Sequence, residues 1–330
     1  MRYLGSKTLL LNEIFNLITE FKGGVFCDPF GGIGTVGSFM KKNGFHVMSG
    51  DILNFAHFFQ YSLIERNGED EFTNLKRLLQ IENICDIESY LNEQYVVDGW
   101  IVEEYSDKRK FFTYENACRI QGCLNCIENW YNAQVISETE RKIFIASLIN
   151  SFDKVANTAG TYYGYLKKYD RRALKNFQFT LLPIVAGPRS YCCKMDAIEM
   201  GRRKCDVLYL DPPYNSRDYS RYYHLPETIA MGVIPKPKGK SGVYHANNTV
   251  SEYNKRDKAF MAFENLIKHA DANCILFHYT DNGLIDMKEA RKILDSVGAI
   301  VEERYLNCKG YNTSEGTKEN RHHIIKNCML

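Results

Sequence analysis

The feature that most limits what this chain can fold into is Asp206-Val-Leu-Tyr-Leu-Asp-Pro-Pro-Tyr214, an apolar run that ends in two consecutive prolines. Val207-Leu208-Tyr209-Leu210 shows no polar alternation, the pattern of a parallel strand covered on both faces. Pro212 and Pro213 fix φ and remove two backbone donors, so neither strand nor helix continues through them, and the groups on the turn are held stiffly. A rigid carboxylate at Asp211 then sits at the carboxyl end of a buried strand, where open α/β sheets place their ligand crevices. Taken alone, the segment is also compatible with an ordinary strand-terminating loop, and the rest of the chain decides between the two.

Two more strand ends carry acids. Val25-Phe26-Cys27 runs into Asp28-Pro29-Phe30-Gly31-Gly32-Ile33-Gly34, which predicts a strand, a glycine-rich turn and a helix. Glycines allow a tight turn and a close approach of ligand to main chain, and a helix start offers N–H groups. The spacing departs from G-x-G-x-x-G, and Asp28 would repel a pyrophosphate but suit a cation such as an amine or a sulfonium. Phe45 to Asp51 predicts a second strand that ends in an acid about twenty residues past the glycine loop. In doubly wound nucleotide-binding folds, an acid at this place takes a ribose hydroxyl pair. The two features together point to a nucleoside-containing cofactor.

The expected fold class is therefore α/β, a Rossmann-like doubly wound sheet, mostly parallel. Ile300–Leu306 and His322–Asn327 are expected to close it as an antiparallel pair. Lys7 to Phe21 places Leu10, Leu11, Ile14, Phe15, Leu17, Ile18 and Phe21 at helical spacing, predicting one packed amphipathic helix. Helices are also expected over Ala259–His269 and Asp286–Ser296, with a strand over Cys274–Tyr279. From about residue 61 to 187 the α/β alternation gives way to helical patterns, so a largely helical insert is expected there. Residues 1–60 and 188–330 would then form the discontinuous cofactor-binding domain. Within the insert, Ser137-Glu-Thr-Glu140 is a capping box opening a helix.

Beyond it, Tyr162, Tyr163, Tyr165 and Tyr169 interleave with Lys167, Lys168, Arg171, Arg172 and Lys175. This composition suits a phosphate backbone, and equally a solvated face. The run from Pro235 to Ser251, rich in Pro, Gly, Lys and Asn, is expected to be a mobile loop over the site.

At 330 residues the chain has room for one large core plus an insert, and its net charge of +2 neither demands nor forbids a polyanionic partner. No apolar run approaches membrane-spanning length and no signal-like segment stands at the start, so a cytoplasmic protein without membrane association is expected. The 11 cysteines are scattered, and Cys123-Leu-Asn-Cys126 has no second pair at zinc-ribbon spacing, so no metal site is expected.

With these pieces in order, the chain resembles the DNA adenine-N6 methyltransferases of the Dam-like arrangement, close to the branch paired with FokI-type restriction enzymes. The residues that carry the likeness are Arg2-Tyr-Leu-Gly-Ser-Lys7, Asp28-Pro-Phe-Gly-Gly-Ile-Gly34, Asp51, Asn157 to Lys168, Asp211-Pro-Pro-Tyr-Asn-Ser-Arg217, Tyr223-His224 and Glu227-Thr-Ile-Ala230. They span nearly the whole chain. The resemblance implies S-adenosylmethionine as cofactor, with Tyr3 and Lys7, the segment Asp28, Pro29, Phe30, Gly31, Gly32 and Gly34, then Asp51 and Ile52, and Asp196 around it. It implies Asp211, Pro212, Pro213 and Tyr214 as the catalytic set acting on N6 of a flipped-out adenine. Double-stranded DNA is the implied partner, met by Tyr165, Lys167, Lys168, Arg171, Arg172, Lys175, Arg217, Tyr219 and Arg221, with the helical insert as its recognition lobe. A monomer is expected, and a cognate restriction endonuclease is a further partner the resemblance suggests.

Within the same fold, N-P-P-Y variants modify RNA or protein glutamine and S-P-P-Y variants cytosine N4, so Asp211 favours adenine, with RNA adenine as the nearest alternative. A dinucleotide-dependent oxidoreductase would need the pyrophosphate nest that Asp28 opposes. A non-enzymatic DNA-binding module would have no use for Asp51 or the D-P-P-Y turn.

Overall fold

The computed structural model describes residues 1–68, 71–244, 250–313 and 316–329, and for 307–320 the backbone alone. The described chain divides into two compact units, one of Lys7–Ile52, Val185–Asp218 and Thr249–Leu330, the other of Met1–Ser6, Leu53–Ile184 and Tyr219–Asn248. No helix among the described residues is long and apolar enough to cross a membrane.

The first unit holds the sheet. Its strands are β1 Val25–Asp28, β2 His46–Asp51, β3 Tyr191–Lys194, β4 Cys205–Leu210, β5 Ala272–Thr280, β6 Gly298–Thr313 and β7 Gly316–Met329. They lie in the order β3-β2-β1-β4-β5-β7-β6. The first five are parallel neighbours, and β7 runs antiparallel between β5 and β6. From β1 the chain steps outward through β2 to β3, then returns to the other side of β1 to lay down β4. The switch point of this doubly wound sheet thus lies between β1 and β4, and their carboxyl ends, Asp28 and Asp211, face the crevice such a switch creates.

Residues of β4 are covered from both sides, as an unbroken apolar run requires. Leu208 and Leu210 belong to a core with Cys27, Ile275, Phe277 and Ile325, packed against Phe263 and Leu266 of the helix Ala259–Lys268 and Leu294 of Met287–Val297. Tyr209 turns the other way and stacks on Phe26 with ring centroids 5.8 Å apart, and Phe45 meets Phe26 edge-on at 5.9 Å. Asp206, at the amino end of β4, ties the neighbouring strands together. Its carboxylate accepts from the Val25 N–H at 2.7 Å and from Asn273 Nδ2 at 2.9 Å.

The single helix expected over 7–21 is broken into a turn closed by Leu10 N–H on the Lys7 carbonyl, a helix over Leu11–Asn16 and a 3₁₀ turn over Thr19–Phe21. Leu17 and Ile18 are adjacent and both buried, whereas consecutive helix residues point about 100° apart. Departure of Ile18 from helical geometry (φ −133°) lets both face inward.

The second unit is helical, built on Asn54–Gln60, Thr73–Leu79, Ile84–Asn92, Tyr114–Asn132, Glu138–Asp153 and His224–Met231. The Ser137 capping box forms as expected, with the Ser137 side chain accepting from Glu140 N–H and the Glu140 carboxylate from Ser137 N–H. This unit takes in Met1–Ser6 and Tyr219–Asn248 as well, stretches that the sequence pattern leaves with the sheet. The reason is visible in the bonding of Arg2 and Glu227. Arg2 donates to the Asp153 carboxylate and to the Thr158 carbonyl. The buried Glu227 carboxylate caps the helix Asn54–Gln60, accepting from Asn54 N–H at 3.1 Å, Asn54 Nδ2 at 2.7 Å and Phe55 N–H at 3.0 Å.

Between the helix ending at Asp153 and β3, the chain forms neither helix nor strand. Of the Pro235–Ser251 run, residues 245–249 lie outside the described set, and its described part is pinned: Lys238 bridges Val243, the Gly239 carbonyl accepts from Arg109 and the Gly242 carbonyl from Tyr105.

Candidate active site

Three acids stand at the carboxyl ends of three adjacent strands: Asp51 on β2, Asp28 on β1 and Asp211 immediately after β4. Asp28 is buried and its carboxylate accepts from the Phe30 N–H at 3.2 Å. Burial, with the negative charge of Asp211 second, pushes the Asp28 carboxyl up to about 8. Burial also raises Asp211, but there a cation answers it. The Lys7 ammonium, only 3% exposed, is ion-paired with the Asp211 carboxylate across 204 residues of chain. The same ammonium lies 6.0 Å from the Tyr214 ring centroid.

The glycine loop is stiffened from within. Phe30 N–H goes to Asp28, Gly31 N–H to the Gly50 carbonyl at 2.9 Å, Gly32 N–H to Asp51 at 3.1 Å, and Gly34 N–H to the Gly31 carbonyl at 2.8 Å. Four main-chain donors are thereby spent on the fold, and two carboxylates line the turn. Such a loop is a poor nest for a pyrophosphate and a good surround for a cation. Gly32 (φ +51°) and Gly34 (φ +76°) adopt the left-handed conformation that makes the turn possible, and Gly34 leads directly into the helix Thr35–Lys42. Ile52 follows Asp51 at the end of β2. Asp196 lies two residues beyond β3, exposed, and its carboxylate caps the helix Ala197–Gly201 by accepting from Ile198 N–H at 2.9 Å.

The turn Asp211-Pro212-Pro213-Tyr214 is held from two sides by residues no motif flagged. Tyr214 meets Tyr279 of β5 edge-on at 6.5 Å. The buried Asn254 donates its amide to the carbonyls of Asn215 at 2.8 Å and Arg217 at 2.9 Å, fixing the chain that leaves the turn. Next to it, Tyr253 meets Phe30 of the glycine loop edge-on at 4.9 Å. Thus one short 3₁₀ turn, Glu252–Asn254, braces both the glycine loop and the D-P-P-Y turn. Beneath lies a buried polar chain: Tyr209 Oη is 2.8 Å from His278 Nδ1, and His278 Nε2 is 2.9 Å from His322 Nδ1. Burial, followed by the Lys7 charge, holds His278 well below the ordinary imidazole range, and it holds His322 down to about 4, so both rings are neutral at physiological pH. Nothing in the local pattern around Tyr253, Asn254 or His278 could have marked them, since their partners are distant in sequence.

The sheet unit therefore brings together Lys7, the Asp28–Gly34 loop, Asp51, Ile52, Asp196, Asp211–Tyr214 and Arg217. Tyr3 belongs to the helical unit, stacked on Tyr223 at 5.0 Å and tilted against Tyr219 at 5.8 Å. The basic segment also lies there, as a loop tied to a buried Asn157. Its side chain donates to the Lys110 and Leu166 carbonyls and accepts from Asp170 N–H. Lys167, Lys168, Arg171 and Lys175 are exposed on it. Arg172 is turned back into the fold, donating to the Ala156 and Thr158 carbonyls, and Tyr165 packs on Phe111 at 5.2 Å. Arg221 is exposed.

Residues 3–306 match the family described as D12 class N6 adenine-specific DNA methyltransferase. The chain belongs to this family. Among its curated relatives, the type II methyltransferase M.FokI of Planomicrobium okeanokoites is 35% identical over 90% of this chain and 47% of its own length. The modification methylase StsI of Streptococcus sanguinis is 31% identical over 96% of this chain and 50% of its own length. The chain thus spans about half the length of these two. The type II methyltransferase M.NlaIII of Neisseria lactamica is 30% identical over 98% of this chain and 95% of its own length.

Proposed function

We propose that this D12-class chain transfers a methyl group from S-adenosylmethionine to N6 of an adenine flipped out of double-stranded DNA. The observation that carries the proposal is the convergence of Asp28, Asp51 and Asp211 at the switch point, with Asp211 on a double-proline turn and ion-paired to Lys7. The cofactor fits this donor set. A loop that spends its N–H groups internally and presents carboxylates favours a positive ligand, and Asp51, at the end of β2, stands where the ribose hydroxyls would be held. Asp28, Phe30 to Gly34, Asp51, Ile52 and Asp196 would hold the cofactor, which when bound supplies an electrophilic methyl on a sulfonium.

The chain's own residues prepare the nucleophile. Adenine N6 is weak because its lone pair is delocalised into the ring. The Asp211 carboxylate and the Pro212 carbonyl accept its two hydrogens, favouring a tetrahedral nitrogen whose lone pair is localised. As positive charge develops on nitrogen, the carboxylate stabilises it, and the rigid turn spares the site any reorganisation. Tyr214 stacks on the extruded base, since the reacting atom is out of reach inside a duplex. Lys7 opposes the burial that favours a proton on Asp211. No strong base is needed, because the proton leaves N6 after transfer.

On the DNA side, the exposed Lys167, Lys168, Arg171, Lys175 and Arg221 would meet phosphates from the helical unit, and Arg217 from the sheet unit. Arg172, Tyr165 and Tyr219 would act by shaping this surface. A cognate endonuclease is consistent with the type II and modification names of the relatives, and the chain would act as a monomer.

The test is incubation of the purified chain with labelled S-adenosylmethionine and either mixed-sequence duplex DNA or RNA, followed by analysis of the modified base. N6-methyladenine in DNA is the expected product, reduced by orders of magnitude in Asp211→Ala. Transfer confined to RNA, no transfer at all, or undiminished transfer by Asp211→Ala would overturn the proposal.

A further inference from the structure

The sheet unit carries a feature that neither the cofactor loop nor the catalytic turn accounts for. β7 pairs with β5 from Cys274↔Cys328 to Thr280↔His322, and there β5 ends. β6 and β7 run on, paired with each other alone from Asn307↔Arg321 to Thr313↔Gly316. Because β7 is antiparallel to β5, this continuation lies beyond the carboxyl end of β5, at the edge of the sheet that bears Asp28, Asp51 and Asp211. Only β5 separates β7 from β4, so the two strand axes lie about 10 Å apart. From His322 back to Gly316 the ribbon advances about 20 Å past Thr280. The ribbon and the Asp211 turn belong to the same unit.

The base of the ribbon is fixed by side chains. Tyr305, 45% exposed, meets His323 edge-on at 4.6 Å, and its hydroxyl accepts from Arg291 at 2.9 Å. The exposed Arg321 guanidinium lies 4.5 Å from the same ring centroid. By the two-residue alternation of strands, Tyr305, Asn307 and Lys309 share one face of the ribbon with Arg321 and Glu319.

A two-stranded ribbon standing by itself is marginal in water, and its edges offer unpaired main-chain groups. Its composition shows what suits it as a partner. Residues 307–313 and 316–321 contain no Val, Ile, Leu, Met, Phe or Trp, so they offer little to an apolar protein surface or a lipid. They hold Lys309, Lys318 and Arg321 against one acid, Glu319, together with Asn307, Asn312 and Asn320. Cations answer phosphates, while Arg and Lys match the guanine edge and Asn the adenine edge. The major groove of DNA, about 12 Å wide and about 8.5 Å deep, admits a two-stranded ribbon, and the reach of this one exceeds that depth.

We propose that the β6–β7 ribbon enters the major groove beside the target adenine and reads base edges there, so that the sheet unit itself takes part in choosing the site. The proposal rests on the methyltransferase reading above and requires nothing of the helical unit.

The experiment uses the full chain, a duplex bearing the sequence found by mapping methylated bases, and duplexes that each change one base pair flanking the target adenine. In one variant, residues 309–319 are replaced by Asn-Gly, a two-residue turn joining the opposed Cys308 and Asn320. In a second, Lys309→Ala, Asn312→Ala and Lys318→Ala are combined and the ribbon keeps its length. Both are expected to lower kcat/KM on the mapped sequence about 10- to 100-fold through a higher KM, and to lower discrimination against at least one changed base pair about 5- to 150-fold, the loss of one bidentate base contact. Single-turnover transfer at saturating DNA, and cofactor affinity measured without DNA, should stay within about threefold of the unsubstituted chain, because the catalytic turn and the glycine loop are untouched. Unchanged kcat/KM and discrimination in both variants would overturn the proposal. So would a loss equal on every duplex, which would make the ribbon a phosphate contact only, or an altered oligomeric state with the DNA steps intact, which would make it a contact between copies of this chain. Where the shortened chain alone loses cofactor affinity, the length-preserving variant decides; loss in both would overturn the proposal and make the ribbon a support of the fold. Absence of transfer by the unsubstituted chain would refute the methyltransferase reading itself, an outcome distinct from the others.

Discussion

Replacing Lys7 by methionine removes the ammonium that faces Asp211 in the sheet unit while keeping the length of the side chain. Lys7 is 3% exposed and its carboxylate partner 17%, so water replaces little of the lost interaction. Two unit charges about 4 Å apart interact by about 4 kcal/mol at an effective dielectric near 20. Residual solvent at Asp211 reduces this, and the Asp211 carboxyl is expected to move upward. Burial already raises Asp211, and Lys7 opposes that rise, so its loss moves the carboxyl further in the same direction. The catalytic form is the ionised one, and activity climbs as pH rises through this pKa. The acidic limb of the pH–rate profile should therefore shift to higher pH in Lys7→Met. Below the limb the rate falls by about 10- to 1,000-fold, and well above it the rate approaches that of the unsubstituted chain. Single-turnover methyl transfer at saturating cofactor, from about pH 6 to 9.5, measures this. Stability follows the same linkage: the variant's folded carboxyl keeps its proton while the unfolded one ionises, so its stability falls as pH rises above about 4. A loss of activity by the same factor at every pH would refute this reasoning and place Lys7 with the cofactor, as the resemblance to the Dam-like enzymes implies.

Asp28, held near 8 in the unliganded protein, should release a proton when a cationic cofactor binds beside it. Affinity for S-adenosylmethionine is then expected to rise by up to about tenfold per pH unit below 8 and to level off above it, with Asp28→Asn abolishing the dependence, as titration calorimetry in buffers of different ionisation heat would reveal. Charge reversal at Lys167, Lys168 or Arg171 should weaken DNA binding and lower the salt slope by about 1 for each phosphate no longer neutralised, measured by binding across a salt series; an unchanged slope would make that loop a solvated face only. Arg172→Ala should instead lower the melting temperature, because its guanidinium satisfies the Ala156 and Thr158 carbonyls. Glu227→Ala should cost about 2–4 kcal/mol in denaturant unfolding, since it leaves the capped donors of Asn54 and Phe55 unpaired in a buried place.

What the sequence alone determined about this protein is what short-range covalent chemistry dictates. Two prolines must end β4, glycines must make the turn after β1, and an unbroken apolar run must be buried on both faces, so the strand ends bearing Asp28, Asp51 and Asp211 were legible. The capping box at Ser137 was legible for the same reason, because its donors and acceptors lie within four residues. Only the tertiary structure decided which strand ends stand side by side, that Lys7 faces Asp211, that Tyr253 and Asn254 brace both loops, and that the helix expected over Lys7–Phe21 breaks so that Leu17 and Ile18 can both be buried. It also withdrew Arg172 from the basic surface and took Met1–Ser6 and Tyr219–Asn248 into the helical unit. The physical reason is that these outcomes depend on interactions between residues far apart in the chain and on desolvation, a property of the packed surroundings and not of the residue. An aspartate ordinarily ionised in water is a proton carrier near pH 8 at position 28 only because the fold has removed its water and set a second carboxylate nearby.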